Sequence, residues 1–242
     1  MNEEVDIKFE VLDFLHEDMK YFDGRAKGIA MIVNDDPQLI EVLAKFLLTF
    51  IDKIDFNKRY KAWKKRLTAI GELYSESNLD DLIDKLYDSY DKVRGYHIDK
   101  FRGLIFEYIM ENHYKNIYVD FSKGCKVIIN GIHIKYICEE NEKNDRLTID
   151  IAGYSSYESE FYEVKVGPSG FKENVIIYLN MLNDAAHKNK ISGKITVGCM
   201  SLEVKSKLIL KLNETNEDYS GLGVFGRDEI REILLGEVAY SS

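Results

Sequence analysis

The sequence predicts an α+β or α/β chain in two parts: a mainly helical region over residues 1–95, then a mixed β-sheet core flanked by helices over 96–242. Three observations lead there. Apolar residues recur every three or four positions through the first third, the period of an amphipathic helix. Past Gly95 the apolar runs shorten and become rich in branched residues, and Asn130-Gly131 joins two of them. Asn-Gly is the strongest short-range hairpin signal, because a type I′ turn needs positive φ twice. At 242 residues, 45% of them hydrophobic, the chain can bury one sizeable core, or one core with a helical appendage.

Residues 1–35 stay open, since EVLDFL and GIAMIVN read equally as short strands or helix pieces. Asp36-Pro37 starts a helix, with an acceptor at the cap and proline at the first helical position. Leu39, Ile40, Leu43, Phe46, Leu47, Phe50, Ile51 and Ile54 carry it to residue 54. A second helix runs from about 57 to 73, with Tyr60, Trp63, Leu67 and Ile70 on one face. Ser77 or Asn78 caps a third, carrying Leu79, Leu82, Ile83, Leu86 and Tyr90 until Gly95 breaks the pattern. A helix over 98–114 opens the second part. Strands follow at 126–129, 132–138, 146–152 and 160–166, then a helix over 171–188 and a strand at 194–200. Residues 202–212 suit helix and strand equally, and a strand at 222–225 and a helix over 228–235 close the chain.

Composition narrows the function. Two prolines in 242 residues exclude a proline-rich or collagen-like chain. The longest apolar stretches, such as Phe46-Leu47-Leu48, stop far short of the roughly 20 residues of a bilayer span. The opening MNEEVDIKFE is acidic where a signal peptide is basic and then apolar. The expectation is a soluble cytoplasmic chain with no membrane role. Three cysteines without a CxxC pair suit reduced thiols, and five scattered histidines without HxxxH or HExxH spacing argue against zinc.

The net charge of −9 disfavours non-specific nucleic-acid binding, which phosphate attraction dominates. The charge is uneven, however. Residues 51–66 carry a net +5 between acidic neighbours, so Lys58, Arg59, Lys61, Lys65 and Arg66 are the candidate phosphate contacts. Tyr60 and Trp63 in the same segment are read as core residues. Gly221, Gly223 and Gly226 fit GxGxxG, but a polar loop precedes them and only 16 residues follow. A dinucleotide site is rejected on those grounds.

Two neighbouring strands bring acids where solvent-facing charge is not needed. In LTIDIAG the period of two sets Asp150 on the face opposite Ile149 and Ile151, and in EFYEVKVG it sets Glu163 and Lys165 on one face. With residues 153–160 as the connecting loop, antiparallel pairing places Asp150 opposite Glu163. Like charges at about 5 Å between Cβ atoms destabilise a sheet, and two such carboxylates suit a hard divalent cation. Lys165 then projects beside that cation, placed to stabilise a developing oxyanion or orient an attacking water.

Asp150, Glu163-Val164-Lys165 and the helix glutamate Glu107, in that order of elements, resemble the PD-(D/E)xK superfamily of restriction-endonuclease-like nucleases. The resemblance spans about residues 98–200, and no family suggests itself for residues 1–95. It implies Mg²⁺, with Mn²⁺ as a substitute, held by Asp150, Glu163 and the Val164 carbonyl, supported by Glu107 and assisted by Lys165. It implies an endonuclease hydrolysing DNA phosphodiesters, in defence against foreign DNA, and the small acidic chain with its separate helical region suggests work as an oligomer or beside a protein partner. Ile149 stands where many members have proline, and the hairpin at 125–138 adds a strand before the aspartate strand. Asn174 and Tyr178 stand at the spacing of a glutamine and tyrosine in some members. The alternative is an inactive nuclease-fold subunit whose N-terminal helices dock a helicase or other ATPase.

Overall fold

The branched and alternating runs past residue 118 join one short N-terminal strand in an open, mixed sheet of seven strands. The computed structural model describes residues 5–11, 17–68 and 76–237. The strands are β1 (Ile7–Val11), β2 (Asp120–Ile129), β3 (Ile132–Ile134), β4 (Ile149–Tyr154), β5 (Glu158–Lys165), β6 (Lys194–Ser201) and β7 (Gly223–Phe225). Their order is β1-β2-β4-β5-β6-β7, with β3 paired to β2. β6 runs parallel to β5 and β7, and the other pairings are antiparallel. Asn130 and Gly131 both have positive φ, 50° and 76°, and close the β2–β3 hairpin that their sequence predicts. β3 ends at Ile134, sooner than expected, and pairing resumes only at a bridge between Tyr136 and Arg146.

Two helices belong with the sheet, α6 (Glu173–Asn189) and α7 (Lys205–Asn213). The segment that suits helix and strand equally is therefore helical. Cys125, Val127, Ile149, Ala152 and Phe161 of the sheet form one buried cluster with Val175, Ile176, Leu179 and Leu182 of α6. Burying a side chain of that size contributes about 1.5–3 kcal/mol, so this cluster fixes which face of β4 and β5 lies under α6.

The helical unit holds α1 (Glu17–Asp35), α2 (Ile40–Thr49), α3 (Lys53–Thr68), α4 (Glu76–Lys92), α5 (Ile98–Tyr114) as far as residue 112, and α8 (Arg227–Leu235). GIAMIVN lies in α1, whereas Glu10 and Val11 of EVLDFL end β1; residues 12–15 lie outside the described residues. The helix expected to run to residue 54 stops at Phe50, which leaves helical geometry at φ −102°, ψ 75°. Asp52 then accepts a hydrogen bond from the Asp55 amide at 2.8 Å, an N-cap that starts α3 four residues earlier than expected. The end of that expected helix, residues 69–73 with Ile70, lies outside the described residues.

The expected boundary at 95/96 is corrected to 112/113, and the sequence does not divide into two consecutive blocks. Residues 5–11 belong with 113–226, and residues 227–237 belong with the helices. Packing explains both crossings. Phe9 of β1 stacks edge-on against Phe161 at 6.2 Å, and α8 buries Ile230 and Ile233 and packs on α2. Among the described residues no helix is long and apolar enough to cross a membrane.

Aromatic rings dominate the helical core. Phe46 meets Phe50 at 4.8 Å, Tyr90 at 4.8 Å and Trp63 at 5.1 Å between ring centroids, all edge-on. Such geometry adds about 0.5–1.5 kcal/mol per pair beyond area burial. Arg102, buried in the same unit, donates from Nε to the Leu47 carbonyl at 2.9 Å and ties α5 to the end of α2. Phe46→Ala is expected to cost about 3–5 kcal/mol, read as a fall in urea-unfolding free energy. A loss below about 1 kcal/mol would mean the ring is not central to this core.

Candidate active site

β4 and β5 pair with Ile151 opposite Tyr162 and Ala152 opposite Phe161. The connection is shorter than the eight-residue loop expected, because each strand runs about two residues further. The register is nevertheless the expected one, and its next step sets Asp150 opposite Glu163. Alternation then places Asp150, Glu163 and Lys165 on the face that carries Ala152 and Phe161, under α6.

Lys165 closes the arrangement. Its Nζ lies 2.8 Å from Asp150 Oδ2 and 2.7 Å from Glu163 Oε1. The two carboxylate oxygens are therefore within about 5.5 Å of each other. The Val164 amide donates to Asp150 Oδ2 at 2.8 Å, so backbone and side chain of β5 both orient that aspartate. Glu163 is 3% exposed, whereas the Asp150 and Lys165 side chains keep 21% and 27%, so the site opens to solvent on their side.

Burial raises the Glu163 pKa, and the charge of Asp150 adds to that; Lys165 and Arg146 pull it down without prevailing. Burial alone would lower the Lys165 pKa, but the two carboxylates outweigh it and hold the ammonium above its ordinary range. Lys165 is thus a fixed positive charge at any ordinary pH.

Three further residues complete the surroundings. Arg146 Nη1 lies 3.9 Å from Glu163 Oε1, and two 2.8 Å backbone hydrogen bonds with Tyr136 anchor the residue. Its sequence signal is the alternation Arg146, Thr148, Asp150, which extends the strand pattern into the preceding loop. Gly170, just after β5, leaves room for the Lys165 stem: a Cβ there would lie 2.9 Å from Lys165 Cγ and Cδ. Tyr178 of α6 is fully buried and its hydroxyl has no hydrogen-bond partner among the described residues. Burial first, then the charges of Glu163, Cys125 and Asp150, raise its pKa.

Glu107 lies half-buried on α5, in the helical unit, and the cluster around Lys165 is complete within the sheet unit without it. Lys58, Arg59, Lys61, Lys65 and Arg66 are all exposed on α3, with Arg59 paired to Asp55 at 2.9 Å. Tyr60 is buried and Trp63 half-buried among the aromatic rings of that unit, as expected of core residues. Asn174 donates to the Asn144 carbonyl, away from any pairing with Tyr178. Close packing accounts for two of the GxGxxG glycines: a Cβ at Gly223 would lie 2.5 Å from the Phe225 ring, and one at Gly226 2.3 Å from the Lys205 amide.

The donor set suits a hard cation. Asp150, Glu163 and the Val164 carbonyl offer only oxygens, and the two carboxylates already converge on a single positive centre. Among the described residues no group of three or more His, Cys, Asp or Glu side chains could hold a metal. A cation here would keep most of its ligands as water, which is the habit of Mg²⁺. The sequence matches no protein-family model, and no curated protein matches it.

The two shifts fix the expected pH dependence. Stability from Lys165 is whole below about pH 10.4 and lost only above it, because its folded pKa is raised. Glu163, also raised, contributes less as pH climbs above the ordinary carboxylate range. Lys165→Met should therefore cost about 3–5 kcal/mol at pH 8, where two like charges are stranded. The cost should shrink at lower pH, where a proton on Glu163 relieves the repulsion. Equal losses at pH 8 and at lower pH, read by urea unfolding, would refute the coupling.

Proposed function

We propose that the chain is a Mg²⁺-dependent DNA endonuclease built on a restriction-endonuclease-like, PD-(D/E)xK-type core. The observation that supports this is the convergence of Asp150 and Glu163, from adjacent antiparallel strands, on the single ammonium of Lys165. Two acids set opposite each other under a helix are a poor choice for stability, and a cation site explains them. Asp150, Glu163 and the Val164 carbonyl would hold Mg²⁺, or Mn²⁺ in its place, which supplies Lewis-acid polarisation of phosphate oxygen and a more acidic bound water.

The chain's own residues do the rest. Asp150 is held by the Val164 amide and presents its carboxylate on the solvent-open side, where a phosphodiester can approach. Glu163 is the sealed anchor. Lys165 keeps its proton, so its role is to offset negative charge developing on phosphate oxygens rather than to remove a proton. Gly170 keeps the Lys165 stem in line. Glu107 enters as a supporting acid on the resemblance alone. DNA is preferred as substrate, and defence against foreign DNA as setting, on the same resemblance.

Wild-type protein should nick plasmid DNA with Mg²⁺ or Mn²⁺. Asp150→Ala and Lys165→Ala should each lose at least about a hundredfold in rate, the scale of one electrostatic group in a preorganised site. Intact plasmid and intact single strands with both metals would contradict the reading. The exposed basic face of α3 is the proposed DNA-tracking surface: Lys61→Ala with Lys65→Ala should weaken duplex binding and flatten its salt dependence by about 0.9 per charge removed. Unchanged affinity and slope would remove α3 from the interface.

One observation favours the second reading, an inactive subunit docked to a helicase or other ATPase. Lys165 and Arg146 already balance the charges of Asp150 and Glu163. A protein that binds DNA or an ATPase yet never cleaves would fit it.

A further inference from the structure

Arg146 is the least satisfied charged group beside the proposed site. Its Nη1 reaches Glu163 Oε1 only at 3.9 Å, on the same oxygen that Lys165 holds at 2.7 Å. Its Nε is buried and has no hydrogen-bond partner among the described residues. Its side chain nevertheless keeps 31% exposure, so the guanidinium spans from the sealed carboxylate toward solvent. The backbone of Arg146 is pinned on both sides by Tyr136, which makes a mobile surface role a poor explanation.

A buried donor left without an acceptor costs about 1–3 kcal/mol, and a guanidinium presents five donors in a planar fork suited to two oxygens of one anion. Lys165, by contrast, already has two carboxylate partners at 2.7–2.8 Å. An anion that presents two oxygens from the solvent side matches the fork that Arg146 offers.

We infer that Arg146 grips a non-bridging oxygen pair of a DNA phosphate, so that it positions the strand on the Glu163 side of the site. This rests on the nuclease reading for the identity of the anion, and it adds a residue that the Asp…ExK pattern does not contain. Arg146 acts on the substrate directly. Its closeness to Glu163 keeps the fork in place when no strand is bound.

The test is binding rather than cleavage. Anisotropy of a short fluorescein-labelled DNA duplex is titrated with full-length protein in EDTA, over a salt series, for wild type, Arg146→Ala, Arg146→Lys, Glu163→Gln and the Arg146→Ala/Glu163→Gln pair. Thermal melts confirm that each variant is folded. Arg146→Ala should weaken binding about tenfold, the effect of one charge-assisted contact, and flatten the log–log salt slope by about 0.9. Arg146→Lys, keeping the charge without the fork, should recover the slope but only part of the affinity. The loss should be the same size in the Glu163→Gln background, since the contact is to DNA. A loss that vanishes in that background means Arg146 acts only through Glu163 and overturns the inference, as does wild-type affinity in Arg146→Ala. If wild type binds DNA with this pattern but never cuts, the nuclease reading fails and the Arg146 contact stands. If wild type binds no DNA, both fall.

Discussion

A single lysine ammonium shared by two opposed carboxylates is what the rest of the sheet unit is arranged around. Asp150 and Glu163 cannot avoid each other: slipping β4 by one residue would turn Ile149 and Ile151 out of their buried positions in order to move Asp150 to the other face. The hydrophobic pattern therefore forces the two acids together. The period of two also supplies the remedy, because a residue two positions past Glu163 on the same strand returns to the same face, and that residue is Lys165. The ExK spacing is in this sense a local solution to a problem that the strand pairing creates. Removing Lys165 leaves two like charges facing each other at a half-buried site, which is far costlier than the intact group is stabilising.

The same arrangement sorts the roles. Glu163 is sealed and its proton affinity raised, so it is the acid that takes up a proton first when its cationic partners are lost. Asp150 and Lys165 keep contact with solvent. Gly170 leaves space for the lysine stem, and Tyr178 of α6 adds a buried hydroxyl without a partner among the described residues. On the opposite face of the same strands, Glu160 accepts hydrogen bonds from Tyr118 at 2.7 Å and Tyr162 at 2.5 Å. That second buried carboxylate is satisfied by neutral hydroxyl donors, whereas Asp150 and Glu163 are held by the Lys165 ammonium.

Most of this was legible where one short period governs both pattern and packing. Asp150, Glu163 and Lys165 could be paired from alternation alone, and Asn130-Gly131 announced its turn. The exposure of Lys58 and its neighbours, with Tyr60 and Trp63 turned inward, followed from the helical period. What escaped has a physical reason in each case. Phe50 and Ile51 continue the apolar spacing across the end of α2, and only the Asp52 cap reveals the break. Arg146 shares the alternation of Thr148 and Asp150 but lies before β4, and its backbone is fixed by the Tyr136 bridge, a partner the alternation does not name. The unit boundary depends on β1 and α8, two short elements whose partners lie far off in sequence. Gly170 looks like an ordinary turn residue until the lysine stem beside it is seen.

Diffraction from crystals soaked in Mn²⁺, recorded for its anomalous signal, addresses the central claim most directly. The account predicts one peak bridging the Asp150 and Glu163 carboxylates, with the Lys165 ammonium displaced from between them. No peak there, with Lys165 still bonded to both acids at saturating Mn²⁺, would contradict it and leave the cluster as a structural charge triad.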